Sequence, residues 1–257
     1  MLSADDPLIE AAQRLRADRA FAVLEGFHAL KHALRFGADI VLVLAADPAG
    51  LDALARRLAP DVGAEIAARV RPATAQAIAT LSPHAPRTGV IAFARRPRDG
   101  GPGARGTNPG RPLILLEDPR HLGNVGAVIR VAAAAGAAGV LTTGPSDPWS
   151  AAALRGSAGL HFALPVGRVA AVPDDPDRPL IAVDPAGEPL ATRALPPGAT
   201  LAFGTERDGL SDAVIARASA RVAIPMRAGV SSLNLATAVA VMLYSLSGPG
   251  SGRAGLG

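Results

Sequence analysis

Apolar and polar positions along the chain alternate between two periods. Short, mostly apolar runs stand at Phe21–Leu24, Asp39–Ala45, Ile66–Val70, Gly89–Ala94, Leu113–Leu116, Gly139–Thr142, Leu180–Val183, Thr200–Phe203 and Val222–Ile224. Runs of this length bounded by Gly, Pro or Asp read as buried strands. Between them lie stretches of helical period: Ile9–Ala20, the segment from Phe27 to about Phe36, Leu51–Leu58, Thr74–Leu81, Val125 to about Ala135, Ala151–Leu154, Asp212–Ala218 and Leu233–Leu246. Gly37 and Gly136 stand where helices end, and Ser211 where one begins. Strand and helix alternate from end to end, which predicts an α/β fold with a mostly parallel sheet covered on both faces.

One interval breaks the pattern. Arg95–Arg111, RRPRDGGPGARGTNPGR, is too rich in glycine, proline and arginine for a packed element. It divides the chain into an α/β domain at 1–98, a flexible basic linker at 99–112 and a second domain at 113–247. A disordered tail, 248–257, follows. The linker reads either as a tether or as a transient contact for a nucleic-acid backbone.

Composition narrows the chemistry. No cysteine occurs, so disulfides, thiolate metal sites and cysteine nucleophiles are excluded, and the five histidines show no ligand spacing. No metal is expected. Aromatic residues make up 3% of the chain, so the core must close on small aliphatic side chains. The formal net charge is +4, and Lys31 is the only lysine. Residues 1–98 hold 13 basic and 10 acidic residues, 99–112 hold two and one, and 113–257 hold 11 of each. The excess therefore lies in the first domain and linker, and it permits contact with a polyanion without requiring it. Met1–Glu10 has no signal-peptide character, and the apolar segment near the C-terminus falls short of the roughly 20 residues that cross a bilayer. The expectation is a soluble cytoplasmic protein with no membrane partner.

Ligands of open α/β sheets collect beyond the carboxyl ends of strands. Three polar, glycine-bearing loops occur there: Asp118–Arg130, Gly204–Ser211 and Pro225–Asn234. The first lacks the glycine spacing of a dinucleotide fingerprint, and no P-loop lysine motif exists, so a nucleotide-dependent oxidoreductase is disfavoured. Arg130 sits in an otherwise apolar register, so it must either be paired or face a cleft. Glu206 is its natural partner, and an ion pair fastening two loops is the plainer reading. Ser231 or Ser232 is expected to cap the last helix. That helix is apolar on nearly all faces and is expected to be buried; its polar first turn suits either an ordinary cap or a polar ligand.

These residues carry a family resemblance. LEDPRHLGNVGAVIRVAAAAG, LAFGTERDGLS and IPMRAGVSSLNLATAVAVMLY are similar to the three signature motifs of SpoU-type RNA 2′-O-ribose methyltransferases of the SPOUT superfamily. FAVLEGFHALKHAL through RTGVIAFARRP resembles the α/β/α substrate-binding domain that often precedes that catalytic domain. The resemblance implies a C-terminal trefoil knot, S-adenosylmethionine as cofactor, a tRNA or rRNA substrate and a homodimer whose active sites take residues from both subunits. It places Gly204, Ile224, Met226, Ser232 and Leu233 at the cofactor. It places Arg130, Asn124, Glu206, Ser232 and Asn234 in the catalytic set. RNA grip falls to Arg95, Arg96, Arg98, Arg155 and Arg207. The competing expectation is a non-catalytic RNA-binding protein of the same fold acting in ribosome assembly.

Overall fold

The computed structural model describes residues 1–82, 86–97, 108–190, 195–205 and 208–246. Arg98, Glu206, Arg207, most of the linker and the tail from 247 onward lie outside the described residues. The chain separates into two compact units, one of Met1–Arg98 with Trp149–Ala163, the other of Asp99–Pro148 with Leu164–Gly257.

The first unit opens with α1 (Pro7–Ala17), β1 (Phe21–Glu25), α2 (Phe27–Arg35) and β2 (Ile40–Ala45). It continues through α3 (Pro48–Leu58), α4 (Pro60–Arg69), β3 (Val70–Pro72), α5 (Ala75–Leu81) and β4 (Val90–Arg95). Its sheet runs β1-β4-β2-β3. The β1/β4 and β4/β2 pairs are antiparallel, and β2/β3 is parallel. Caps set the helix starts. Asp6 Oδ1 accepts the Leu8 N–H at 2.9 Å ahead of Pro7, and Thr74 Oγ1 accepts the Ala77 N–H at 3.1 Å. Ile9, Leu44, Ile78, Leu81, Ile91 and Phe93 form the core.

One expectation fails here. Ile66–Val70 is not a strand, because Pro60–Arg69 is α4 and the strand begins only at Val70. Pro60 at the first helical position and the buried pair Val62 and Ile66, four apart, put this stretch on the helical period.

The segment Trp149–Ala163, read from the sequence as part of the second domain, packs with the first unit. It holds α7 (Ala151–Ser157) and a 3-10 turn (Leu160–Ala163). Gly159 lies so close to α2 that a Cβ on it would meet the Ala29 carbonyl oxygen at 2.4 Å. Glu25 fastens the segment. Its carboxylate is 2% exposed, takes Arg155 Nη1 on Oε2 at 2.6 Å, and takes Ser82 Oγ and Arg16 Nη1 on Oε1 at 2.7 and 3.3 Å.

The second unit contains β5 (Leu113–Leu116), α6 (Leu122–Ala134), β6 (Gly139–Thr142), β7 (Val166–Arg168) and β8 (Leu180–Pro189). β9 (Thr200–Phe203), α8 (Asp212–Arg217), β10 (Ala220–Ala223) and α9 (Leu235–Leu246) complete it. The sheet order is β10-β8-β9-β5-β6-β7, and every pairing is parallel. Four-residue runs such as LILL and TLAF are buried throughout, as a parallel sheet requires. β7 is only three residues, Val-Gly-Arg, too short to announce itself in the sequence. β8 is irregular: Arg221 pairs with Ala182 but Val222 pairs with Glu188, so residues 183–187 bulge out between them. Among the described residues no helix is long and apolar enough to cross a membrane.

The last helix departs from expectation twice. It starts at Leu235, and its cap is Asn234, whose Oδ1 accepts the N–H groups of Ala236 and Thr237 at 3.0 and 3.4 Å. Nor is it buried all round. Leu235, Val239, Met242 and Leu243 are buried on the side that packs against α6, while Tyr244 is 57% exposed.

Candidate functional site

The ends of β5, β8, β9 and β10 bring the three predicted loops together in the second unit. Beyond β5, Glu117 reaches the second loop: Oε2 accepts the Ser211 N–H at 2.8 Å, and Oε1 accepts the Ser211 hydroxyl at 2.6 Å. Ser211 in turn caps α8, its Oγ accepting the Val214 N–H at 3.3 Å. The first and third loops meet where Asn234 Nδ2 donates to Asn124 Oδ1 at 3.4 Å. The second loop closes on itself, Thr205 and Gly209 exchanging backbone N–H···O bonds of 3.1 and 3.2 Å. Gly204 makes that closure possible, since a Cβ on it would lie 2.0 Å from the Gly209 carbonyl carbon.

A cavity of about 300 Å³ opens between the second and third loops. Phe203, Leu210, Ile224 and Leu235 supply apolar walls; Thr205, Ser231, Ser232 and Asp184 supply polar ones. All five residues expected at the cofactor, Gly204, Ile224, Met226, Ser232 and Leu233, line it. A small apolar slot edged by hydroxyls and backbone groups fits a purine nucleoside. Among the described residues no group of three His, Asp or Glu side chains is placed to hold a metal.

Residues 111–244, more than half of the chain, match the model of the SpoU rRNA Methylase family. The chain belongs to that family. A 23S rRNA (adenosine(1067)-2′-O)-methyltransferase of Streptomyces azureus is 26% identical over 92% of this SpoU chain and 90% of its own length. A tRNA/rRNA methyltransferase of Synechocystis, itself uncharacterised, is 39% identical, but only over 51% of this chain and 50% of its own length. The SpoU chain thus spans about half of that relative. The crystal structure of an RNA 2′-O ribose methyltransferase superimposes with a TM-score of 0.73 at 26% identity, covering 95% of this chain and 97% of that one. An AdoMet-bound rRNA methyltransferase from Sinorhizobium meliloti shares the fold, with a TM-score of 0.73 at 24% identity over 96% of both chains.

The remaining predicted residues divide. Ser232 lines the cavity but does not cap the SpoU chain's last helix. Asn124 and Asn234 are joined, as above. Arg130 is exposed on α6, on a stripe with Gly123 and Ala134, and no hydrogen bond or ion pair holds it among the described residues. Its expected partner, Glu206, lies outside them.

Three of the arginines expected to grip RNA have partners within the chain. Arg95 pairs with Asp39 at 3.1 Å and stacks over Phe21 at 5.3 Å. Arg96 donates to the carbonyls of Phe21 and Trp149 at 2.9 and 3.2 Å, and Arg155 holds Glu25. Arg98 and Arg207 lie outside the described residues.

Asp184, missed in the sequence, also lines the cavity. Its signal was present: the apolar run Leu180–Val183 ends in Asp-Pro, a fourth polar turn beyond a strand.

Proposed function

We propose that this chain transfers a methyl group from S-adenosylmethionine to a ribose 2′-hydroxyl of ribosomal or transfer RNA in the cytoplasm. One observation carries the reading: the cavity gathers Gly204, Ile224, Met226, Ser232 and Leu233 from two loops beside the Asn124–Asn234 bridge. When the cofactor is bound, Gly204 and Gly209 would lie beside its adenine, and Ile224, Leu210 and Leu235 would supply apolar walls. When bound, the sulfonium supplies an electrophilic methyl group.

The chain's own part is positioning, which can lower such a barrier by several kcal/mol. A guanidinium with pKa above about 12 is a poor base. Arg130 therefore orients the ribose hydroxyl and its adjacent phosphate, and its positive field favours loss of the hydroxyl proton. Asn124, tied to Asn234, fixes the first loop against the third. Ser232 holds the cavity rim. RNA contact near the site falls to Arg120 and Arg227, both exposed in the first and third loops.

The active form is a homodimer. Supporting this, Tyr244 on the last helix and Val230 in the third loop are 57% and 50% exposed. Gly123 and Ala134 beside Arg130 leave room for a second helix to approach. Light scattering should show a dimer, and Tyr244→Asp should yield a monomer with little activity; a wild-type monomer of full activity would remove this part. We also read the path from the β8 bulge through β10 to the third loop as the trefoil knot of the family. Refolding should then include a slow phase insensitive to prolyl isomerase.

The deciding experiment pairs calorimetry with a methyl-transfer assay on ribosomal and transfer RNA. Arg130→Ala should bind S-adenosylmethionine within about twofold of wild type and lose transfer by 100-fold or more. Full transfer by that variant removes Arg130 from the mechanism, and absence of cofactor binding by the wild type overturns the enzyme reading.

A further inference from the structure

We propose that Asp184 selects the ligand's sugar: its Oδ2 accepts a hydrogen bond from a ribose hydroxyl of the adenosyl group in the cavity. This rests on the functional reading above and adds to it a residue that no motif contains.

The two oxygens of Asp184 are treated unequally. Oδ1 receives Arg221 Nε at 3.0 Å, Arg221 Nη2, and the Ala186 N–H at 2.8 Å. Oδ2 receives no donor among the described residues. The side chain is only 14% exposed, and Oδ2 has no protein partner among the described residues. It faces the cavity, lying 4.0 Å from where a Cβ on Gly209 would stand, and both residues line that space. Three donors on Oδ1 also fix its direction.

The described lining makes no hydrogen bond to Oδ2. It includes no lysine, arginine or histidine, and its only other acid, Asp208, is 72% exposed. Thr205 Oγ1 accepts the Asp208 N–H at 2.9 Å, and no hydrogen bond joins it to Oδ2 among the described residues. Oδ2 is therefore open to a donor carried by a ligand in the cavity. Arg221 already balances the charge of Asp184, so a neutral hydroxyl suits Oδ2 better than an ammonium group. A carboxylate at the carboxyl end of a parallel strand is also where dinucleotide folds take a ribose hydroxyl.

The test is calorimetry on the full chain with S-adenosylhomocysteine, its 2′-deoxy and 3′-deoxy analogues, and its N6-methyl analogue. Asp184→Asn keeps an acceptor oxygen for Arg221 and Ala186, so the fold should survive. Wild type should lose roughly 10-fold or more in affinity when the contacted hydroxyl is removed. Asp184→Asn should bind the parent more weakly by a similar factor and lose less than about threefold further with that deoxy analogue. Equal binding of parent and both deoxy analogues by the wild type overturns the assignment, as does full sugar discrimination by Asp184→Asn. A loss on N6-methylation that vanishes in Asp184→Asn places the carboxylate on the base and overturns the sugar contact. If the wild type binds no adenosyl ligand, the functional reading itself fails.

Discussion

Glu117 and Ser211, 94 positions apart, are locked together by two hydrogen bonds to one carboxylate, 2.8 Å from the Ser211 N–H and 2.6 Å from its hydroxyl. Glu117 follows β5, and Ser211 opens α8. The pair sits at neighbouring strand ends, since Leu116 pairs with Phe203 in the sheet. Glu117→Ala should therefore cost about 1–2 kcal/mol in denaturant unfolding. It should also weaken S-adenosylmethionine binding by loosening the second loop. Unchanged stability and affinity would show that the loops meet without this clasp.

Gly204→Ala tests the cradle directly. The added methyl would collide with backbone at Gly209 and Leu210, which cannot turn away as a side-chain tip could. The expected result is at least 100-fold weaker cofactor binding with a near-normal far-ultraviolet circular dichroism spectrum. Binding within a few-fold of wild type would mean that the Thr205–Gly209 closure is not part of the site.

Glu25 is the first unit's buried charge. Removing one partner from a buried ionic cluster typically costs 3–5 kcal/mol. Its arginines, Arg16 and Arg155, remain 27% and 45% exposed, which reduces the figure. Glu25→Ala should lose about 2 kcal/mol in unfolding free energy, and Arg155→Ala no more than about 1 kcal/mol. Equal losses for the two variants would contradict the central place given to the carboxylate.

His32 gives the fold a pH dependence. Burial pushes its pKa below the usual 6.5, and the nearby charges of Lys31 and Arg35 add to this. Its hydrogen bond to the Ala158 carbonyl, with Nδ1 and oxygen 2.8 Å apart, works against that trend. The folded chain thus binds a proton less readily than the unfolded one. The stability due to the neutral ring is present above about pH 6.5 and is lost as pH falls towards the folded pKa. The Arg35–Asp61 pair does not interfere, because Arg35 lowers the Asp61 pKa from 3.8 and its window lies further down. Between pH 7.5 and 5.5 the wild type should lose more stability than His32→Gln. Parallel curves would remove His32 as the cause.

Local pattern was most legible where burial was complete. Leu113–Leu116, Gly139–Thr142 and Thr200–Phe203 are strands with the expected ends, because a fully buried parallel strand leaves no polar position to blur it. Pattern failed where two periods compete, as in α4, where Val62 and Ile66 repeat on a helix although Ile66–Val70 also reads as a strand. It failed again at the last helix. Serine and asparagine are all good caps, and only the fold leaves Ser231 and Ser232 on the cavity and gives the cap to Asn234. The loops could be placed because glycine and polar residues gather at strand ends. The partners of Arg95, Arg96 and Arg155 could not, since contacts such as Arg155 with Glu25 span 130 positions.

The excursion Trp149–Ala163 changes what it means to take this protein apart. The polypeptide passes between the two bodies three times: once after Arg98, and again on either side of the excursion. A protease nick in the first crossing would cut residues 1–98 free of the rest of the chain, leaving them held to Trp149–Ala163 by packing alone. A fragment ending at Arg98 would lack the Arg155 that closes over Glu25 and the glycine seated on α2. The front module cannot be lifted off as an interchangeable bead, and any graft onto another methyltransferase must carry this borrowed loop with it.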